Sequence, residues 1–385
     1  MTMTLLFFSD ISWDGLIQRP HHLAKHFAKE YPVLWIEPVV LSRRPSFTPV
    51  MVRKNLYTLS LPLFPYNARQ KGVRIIASLL SRVMVVRSLI RRLQVRILRK
   101  AVGRLGMDEK KLIFFFENIH SARIVDSFTP SCVCFDYIDN AFGFVSLPPH
   151  VRTDWEYLVR RADMVFVTSP TLRRQVEESR SEDITLVSNG VEYDFFSRAE
   201  NLPRPYDMPT DKPIIGYVGA VYPWFDFELI DALCRNLPAM NVVLIGRAHP
   251  DSTDWIERLT THPNFFFLGF REYQSIPSYV HLFSVAIIPF LKNELTEAVN
   301  PVKLYEYCAA GIPVIATDFS LDLRSAAPYV TIVHSHGEWF SAITEAIARK
   351  SDDTYIRQLQ AFASHNDWDG KAGEILRSVK SHIRQ

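Results

Sequence analysis

Two side chains of opposite charge, Lys303 and Glu306, stand three residues apart in the stretch 300–318, NPVKLYEYCAAGIPVIATD. The surrounding residues predict a short helix, with Asn300 as N-cap, Pro301 at the first helical position and Gly311 just past the end. Pro313 blocks continuation, and Val314, Ile315, Ala316 and Thr317 then read as a buried strand. A lysine beside the free N–H groups of a helix start costs ~0.3–1 kcal/mol unless an anion sits opposite. The same arrangement makes a phosphate cradle. Glu306, on the same helix face, offers a carboxylate that accepts hydrogen bonds from hydroxyls. An ordinary surface pair between Lys303 and Glu306 would satisfy the same spacing.

Other chemistry-bearing residues fall at the ends of predicted strands, where α/β folds bind ligands. Strand 5–8 ends at Ser9 and Asp10 and leads into a loop containing Trp13, Asp14 and Gly15. Strand 112–116 is followed by Glu117, Asn118, Ile119 and His120, and strand 133–137 carries Asp136 ahead of Asp139 and Asn140. Asp136 and Asp139 also suit plain loop-start capping. In the second half, strand 214–218 leads into Gly219 and the aromatic loop AVYPWFDF, and strand 242–245 into Gly246 and Arg247. A glycine directly after a strand lets a diphosphate approach closely, as any tight turn would also require. His22 and His26 are one helical turn apart, but Lys25 sits between them and no third ligand is in range, so no metal site is expected.

These residues need a scaffold, and 385 residues suffice for two or three domains with their own cores. A composition 48% hydrophobic and 22% charged is that of a folded soluble chain. Cys132, Cys134, Cys234 and Cys308 form no C-x-x-C or metal spacing, a reduced cytosolic pattern. The start, MTMTLLFFSDISWDG, lacks the basic and apolar regions of a signal peptide, and no run of uncharged apolar residues is long enough to span a bilayer.

The net charge of +3 conceals a strong polarity: residues 38–107 contain fifteen Lys or Arg and no Asp or Glu, leaving the remainder at 3 − 15 = −12. That segment is built to meet something anionic. Within 67–104, read as one or two helices, Lys71, Arg74, Arg82, Arg92, Arg96, Arg99 and Lys100 fall in an arc of about 100°. Ile76, Leu79, Val83, Ile90 and Ile97 lie on the other side, and Arg87 and Arg91 break the pattern. A basic amphipathic helix of this kind suits docking on anionic lipid. Equally, it could cover a sheet with its arginines in water. No nucleic-acid motif interleaves the arginines, so nucleic acid is not an expected partner. The expected domains are 1–200, including this basic segment, a proline-bearing linker 201–211, a second domain 212–370, and a C-terminal helix 371–385 returning to the first.

Four blocks resemble one family. NPVKLYEYCAAGIPVIATD is similar to the donor-site signature "NPxKLxEYxAxGxPVxxT" of a bacterial branch of the GT-B glycosyltransferases, the teichuronic-acid and surface-polysaccharide type. SWDGLIQRPHHLAKHF, FDYIDNAFGF and GAVYPWFDFELI resemble further segments of that branch. The resemblance implies an α/β GT-B fold, two Rossmann-like domains with parallel sheets facing across a cleft. It implies a donor site made of Gly219, Arg247, Asn300, Pro301, Lys303, Leu304 and Glu306, with Glu306 on the nucleotide ribose. Trp13, Asp14, Gly15 and Asp136 would face the acceptor and the cleft, Asp139 would act as general base and His120 would stabilise charge on the sugar.

The implied activity is transfer of a sugar from a UDP-, GDP- or dTDP-linked donor to a hydroxyl of a lipid-linked or polysaccharide acceptor. It would take place on the cytoplasmic face of the plasma membrane, without metal or other cofactor. Two departures qualify the match. Ala298 stands where many retaining members have a second glutamate, and the Gly219 loop lacks the Arg and Lys that many relatives place there. Two rivals share the fold. A sugar-nucleotide epimerase would convert its substrate without an acceptor, and a non-catalytic membrane scaffold would bind nucleotide weakly or not at all.

Overall fold

Apolar runs free of charge dictate the strands, because a parallel strand covered on both faces must be hydrophobic throughout. The computed structural model describes residues 3–39, 45–64, 71–144, 148–198 and 202–384. It divides into two units, Met1–Ser188 with Lys371–Gln385, and Asn189–Gly370.

The first unit holds an eight-stranded sheet of β1 (Thr4–Phe8), β2 (Val33–Pro38), β3 (Val50–Arg53), β4 (Leu56–Leu61), β5 (Leu112–Phe116), β6 (Cys132–Tyr137), β7 (Met164–Val167) and β8 (Ile184–Leu186). Their order is β3-β4-β2-β1-β5-β6-β7-β8. β1, TLLFF, and β5, LIFFF, are wholly buried, and their rings pack across the pair, Phe8 on Phe116 with centroids 4.4 Å apart. β3 alone runs antiparallel, through a tight turn in which Asn55 adopts φ 60°, a conformation asparagine tolerates. Four largely exposed residues at a sheet edge leave no strong periodic signal, and the sequence reading has no strand there.

The second unit holds an all-parallel six-stranded sheet: β9 (Ile214–Val218), β10 (Asn241–Ile245), β11 (Phe265–Gly269), β12 (Val285–Ile288), β13 (Val314–Thr317) and β14 (Thr331–Val333). Its order, β11-β10-β9-β12-β13-β14, reverses direction between β9 and β12. In the first sheet the corresponding reversal lies between β1 and β5. These switch points, at the carboxyl ends of the strands, are where open α/β sheets leave a crevice for a ligand.

Three expectations are revised. The first unit ends at Ser188 rather than near residue 200, and 202–211 lies in the second unit. There Asp207 accepts from the Tyr279 hydroxyl at 2.9 Å and pairs with Arg271, so the proline-bearing stretch is anchored.

The basic segment is two helices, Lys71–Arg82 and Met84–Arg104, broken at Val83, whose ψ of 111° is extended. A single helical wheel therefore cannot run through it. Gln94, Val95, Leu98, Ala101 and Val102 form the buried face of the longer helix. Ile76, Leu79 and Val83 are exposed, joined by Ile75, Leu80, Met84, Val85 and Leu89. Eight large apolar residues within 75–89 are thus left in water, a concentration that marks an interaction surface.

The C-terminal helix, Trp368–Arg384, belongs to the first unit from Lys371 onward, where Lys380 pairs with Glu30 and Lys371 Nζ donates to Ser188 Oγ at 2.7 Å. All four cysteines are buried free thiols. Among the described residues no helix is long and apolar enough to cross a membrane.

Candidate active site

In the second unit the site begins with two glycines. Gly219, directly after β9, has φ +150°, and an added Cβ would lie 2.3 Å from Lys303 Cε and 2.7 Å from Nζ. Gly246, directly after β10, also has φ +150°, and its added Cβ would lie 1.8 Å from Gly219 O. Neither position accepts a side chain, so the two turns close on each other and the Lys303 stem lies across bare backbone. Gly219 and Lys303 stand on either side of the β9–β12 reversal.

Lys303 sits in the first turn of the helix Val302–Ala309, as the sequence requires. Its ammonium lies 5.4 Å from the Tyr217 ring centroid and 5.5 Å from that of Phe290. Cation–π attraction of roughly 0.5–2 kcal/mol per ring holds it there. Among the described residues it makes no hydrogen bond or ion pair, so the surface pair with Glu306 is not formed. Burial holds the Lys303 amine below its ordinary range, with Glu306 pulling the other way. Glu306 is pushed up to about 7 by burial, against the pull of Lys303 and with help from Glu192. Glu192 in turn accepts a hydrogen bond from the Tyr273 side chain. The site thus presents a partly desolvated cation without a counter-ion, next to a carboxyl poised near neutrality. It is arranged for an anion with an adjoining hydroxyl.

The other predicted donor residues divide. Asn300 is not the N-cap; Pro301 occupies that position, with no side-chain cap. The Asn300 side chain instead accepts from Asn189 N–H at 2.8 Å and donates to the Tyr305 hydroxyl at 3.0 Å, a buried clamp. Leu304 is 2% exposed and packs in the core, so it does not face a ligand. Arg247 is exposed beside Gly246, its guanidinium 4.3 Å from the Phe270 centroid. The helix ends as predicted: Gly311, at φ +68°, donates to Cys308 O at 3.0 Å and Ile312 to Tyr307 O at 2.9 Å, a Schellman stop. Tyr217 and Tyr307 escape the sequence reading. The Tyr307 hydroxyl accepts from Val218 N–H at 2.8 Å and ties the helix to the end of β9.

In the first unit, polar groups gather at the ends of β1, β5 and β6. Asp136 is fully buried, and both its oxygens are taken by Arg19, at 2.8 and 2.9 Å. It therefore does not face an acceptor; it is a structural ion pair, and Arg19 also donates to the Val187 and Ser188 carbonyls. Asp139, further along, is half-buried, and burial lifts its carboxyl to about 7, with Arg19 opposing.

Asp10 and Glu117, astride the β1–β5 reversal, form a pair the sequence reading did not single out. Glu117 Oε2 accepts from Ser9 Oγ at 2.9 Å and from Asp10 N–H at 3.0 Å. Burial and the Asp10 charge push Glu117 up to about 8, and Asp10 is raised as well by burial, with His120 opposing. His120 thus belongs to this cluster.

Trp13 is held by a 2.7 Å bond from its N–H to Glu37 and by its edge against Trp35, while Asp14 and Gly15 are exposed at the loop tip. His21 braces that loop. Burial lowers it to about 4, so it is neutral, and its Nδ1 faces Gln18 N–H at 3.3 Å and Nε2 the Trp13 carbonyl at 3.1 Å. Among the described residues Cys132, Asp163 and His382 bring ligand-type atoms within 4.8 Å, at the amino end of β6, and Asp163 already accepts from Val133 N–H at 2.7 Å. That end of the strand is the one opposite Asp136.

Residues 212–349 match the family Glycosyl transferases group 1. Over 230 residues the chain is 26% identical to TuaH of Bacillus subtilis (strain 168), named as a teichuronic acid biosynthesis glycosyltransferase; the match covers 57% of each chain. Among solved structures, sucrose-phosphate synthase from Thermosynechococcus elongatus superposes with a TM-score of 0.73 at 16% identity, over 98% of this chain and 99% of that one. Anabaena Alr3699/HepE in complex with UDP and glucose gives 0.69 at 15%, over 98% and 100%. Residues 212–349 of the second unit are thus similar to the glycosyl transferases group 1 domain, in a chain with the GT-B fold.

Proposed function

We propose that this protein is a glycosyltransferase that moves a sugar from a nucleoside diphosphate sugar to a hydroxyl of a lipid-linked glycan, in the synthesis of a cell-surface polysaccharide. The observation that carries the reading is Lys303, a cation held over Gly219 against aromatic faces and, among the described residues, in no ion pair, with the neighbouring Glu306 carboxyl pushed up to about 7. A diphosphate leaving group supplies the missing charge. Lys303 and the free N–H groups of the helix start neutralise it as the bond to the sugar breaks, without calling on a metal. Glu306 accepts from the ribose hydroxyls. The nucleotide is UDP, GDP or dTDP; a solved relative in fold carries UDP and glucose, and the sequence relative is named for teichuronic acid synthesis.

Asp139 takes the proton of the acceptor hydroxyl, and His120 stabilises charge on the sugar. A base that titrates near 7 must lose its proton to work. The rate should therefore be low below pH 7 and rise to a plateau above it. Incubated with nucleotide sugars and a membrane lipid extract, the wild type should label the lipid fraction. Asp139→Asn should retain donor binding but lose kcat by about 10²–10⁴-fold together with that pH limb. Full kcat in Asp139→Asn would remove the base from the mechanism.

The protein works on the inner face of the plasma membrane, docked through the exposed apolar residues of 75–89 and the basic residues Arg82, Arg92, Arg96 and Lys100. Arg99 contributes less than its position on the wheel suggests, since it donates to Ser127 O at 2.7 Å. The Arg74 side chain lies outside the described residues. Each basic residue near an anionic bilayer contributes about 1 kcal/mol. Arg92→Ala with Arg96→Ala should thus weaken binding to phosphatidylglycerol vesicles roughly 30-fold in a flotation assay. Equal flotation of variant and wild type would contradict docking through this face.

A further inference from the structure

The helix Met84–Arg104 also walls a groove of about 700 Å³ inside the first unit, closed on its other sides by the residues after β5 and by the helix Pro149–Arg161. That volume is within the range of small-molecule sites. Its lining divides by chemistry. Met84, Val85 and Leu89 contribute apolar surface, 72%, 64% and 58% exposed. Arg87 and Arg91, one helical turn apart, are half-buried within it. Among the described residues neither has an ion-pair partner. Asp154, which also lines the groove, is taken by Arg123 at 2.8 Å. His150 and His120 line it too. Burial and the Arg87 charge hold His150 below its ordinary range despite Asp154, with His120 and Arg82 adding to the effect. The groove is thus an unneutralised positive concavity that opens on exposed hydrocarbon surface and reaches His120.

We propose that this groove takes the diphosphate of a lipid-diphosphate-linked acceptor, Arg87 and Arg91 holding the phosphates and Met84, Val85 and Leu89 the first stretch of the hydrocarbon chain. This rests on the reading of the protein as a transferase to a lipid-linked acceptor, and it names the acceptor's anchoring chemistry. Bilayer headgroups are met by the exposed Arg82, Arg96 and Lys100, while Arg92, also exposed, lines the groove beside Arg91. Half-buried arginines inside a groove are reached only by a phosphate that enters it, and the apolar rim selects one attached to a lipid. Charge complementarity and the joined apolar rim point to the same occupant.

The test is titration of the full chain with geranylgeranyl diphosphate in zwitterionic micelles, beside geranylgeraniol and inorganic pyrophosphate. It is run on wild type and on Lys303→Ala, which silences the diphosphate site of the second unit. The lipid diphosphate should bind at least tenfold more tightly than either half-probe in both proteins. Arg87→Ala with Arg91→Ala should raise its Kd tenfold or more while leaving the Kd for nucleoside diphosphate unchanged. Leu89→Ser should weaken the lipid diphosphate and not pyrophosphate, which keeps the test open should the arginine variant fold poorly.

Equal affinity for pyrophosphate and lipid diphosphate would overturn the proposal. So would lipid-diphosphate binding that survives in a folded double variant which has lost only its hold on anionic vesicles. Failure of wild type to bind any nucleoside diphosphate would instead overturn the transferase reading, leaving the groove to be judged by its own titration.

Discussion

Replacing Lys303 by alanine should lower kcat/KM for sugar transfer about 10²–10³-fold, a loss of roughly 2.7–4 kcal/mol of transition-state stabilisation. The ammonium is already desolvated and aimed, held over the Tyr217 and Phe290 rings at 5.4 and 5.5 Å, so it needs no reorganisation when charge develops on the leaving diphosphate. The effect should fall on kcat as well as on KM, because the diphosphate carries more charge after the bond to the sugar has broken. Lys303→Arg should not rescue activity, since a planar guanidinium does not fit the slot over Gly219 that the lysine stem fills. Thermal stability separates this role from a structural one. Removing a desolvated cation that has no counter-ion should leave Tm unchanged or raise it. A lysine serving only to hold the fold would lower Tm and leave steady-state kinetics of the surviving enzyme alone.

Gly219→Ala should be as damaging to transfer as Lys303→Ala, by a different physical route. The new methyl would have to occupy space 2.3 Å from Lys303 Cε and 2.9 Å from the Tyr217 hydroxyl, on a backbone at φ +150° that side chains rarely adopt. Backbone strain of this sort costs about 1–3 kcal/mol, which corresponds to a Tm lower by roughly 2–10 °C in a unit of this size. The lysine must leave its seat, so the two substitutions remove the same interaction. The double variant should transfer no more slowly than the worse single variant. Multiplicative losses in that cycle would show that Gly219 and Lys303 act on separate steps.

What could be read from the residues alone was what local pattern encodes. β9 and β13 carry their chemistry in an apolar run bounded by proline or glycine, and their bounds match the sequence reading residue for residue. Lys303 and Glu306 stood out because a cation in a first helical turn has a local electrostatic cost. The misreadings are contacts made at long range. Asn300 has the chemistry of a cap, but its partner Asn189 lies 111 residues away, and that bond displaced the cap. Asp136 lies near the carboxyl end of a parallel strand, a place that suggested it faced an acceptor. Its burial is possible only because Arg19, 117 residues upstream, neutralises it. Asp10 and Glu117 meet because β1 and β5 pair in parallel, a register no sequence spacing expresses. The break at Val83 carries neither proline nor glycine, and the exposure of Ile75, Ile76, Leu79 and Leu80 inverts the ordinary expectation that an apolar stripe faces a core.

The central claim is that the second unit binds a nucleoside diphosphate through Lys303. Isothermal titration calorimetry with UDP, GDP and dTDP, on wild type and on Lys303→Ala, tests it without an acceptor or a membrane. One of the three nucleotides should bind wild type with a Kd in the micromolar range, and Lys303→Ala should weaken that binding at least tenfold, about 1.4 kcal/mol. Binding of none of the three to wild type, or the same Kd for both proteins, would contradict it.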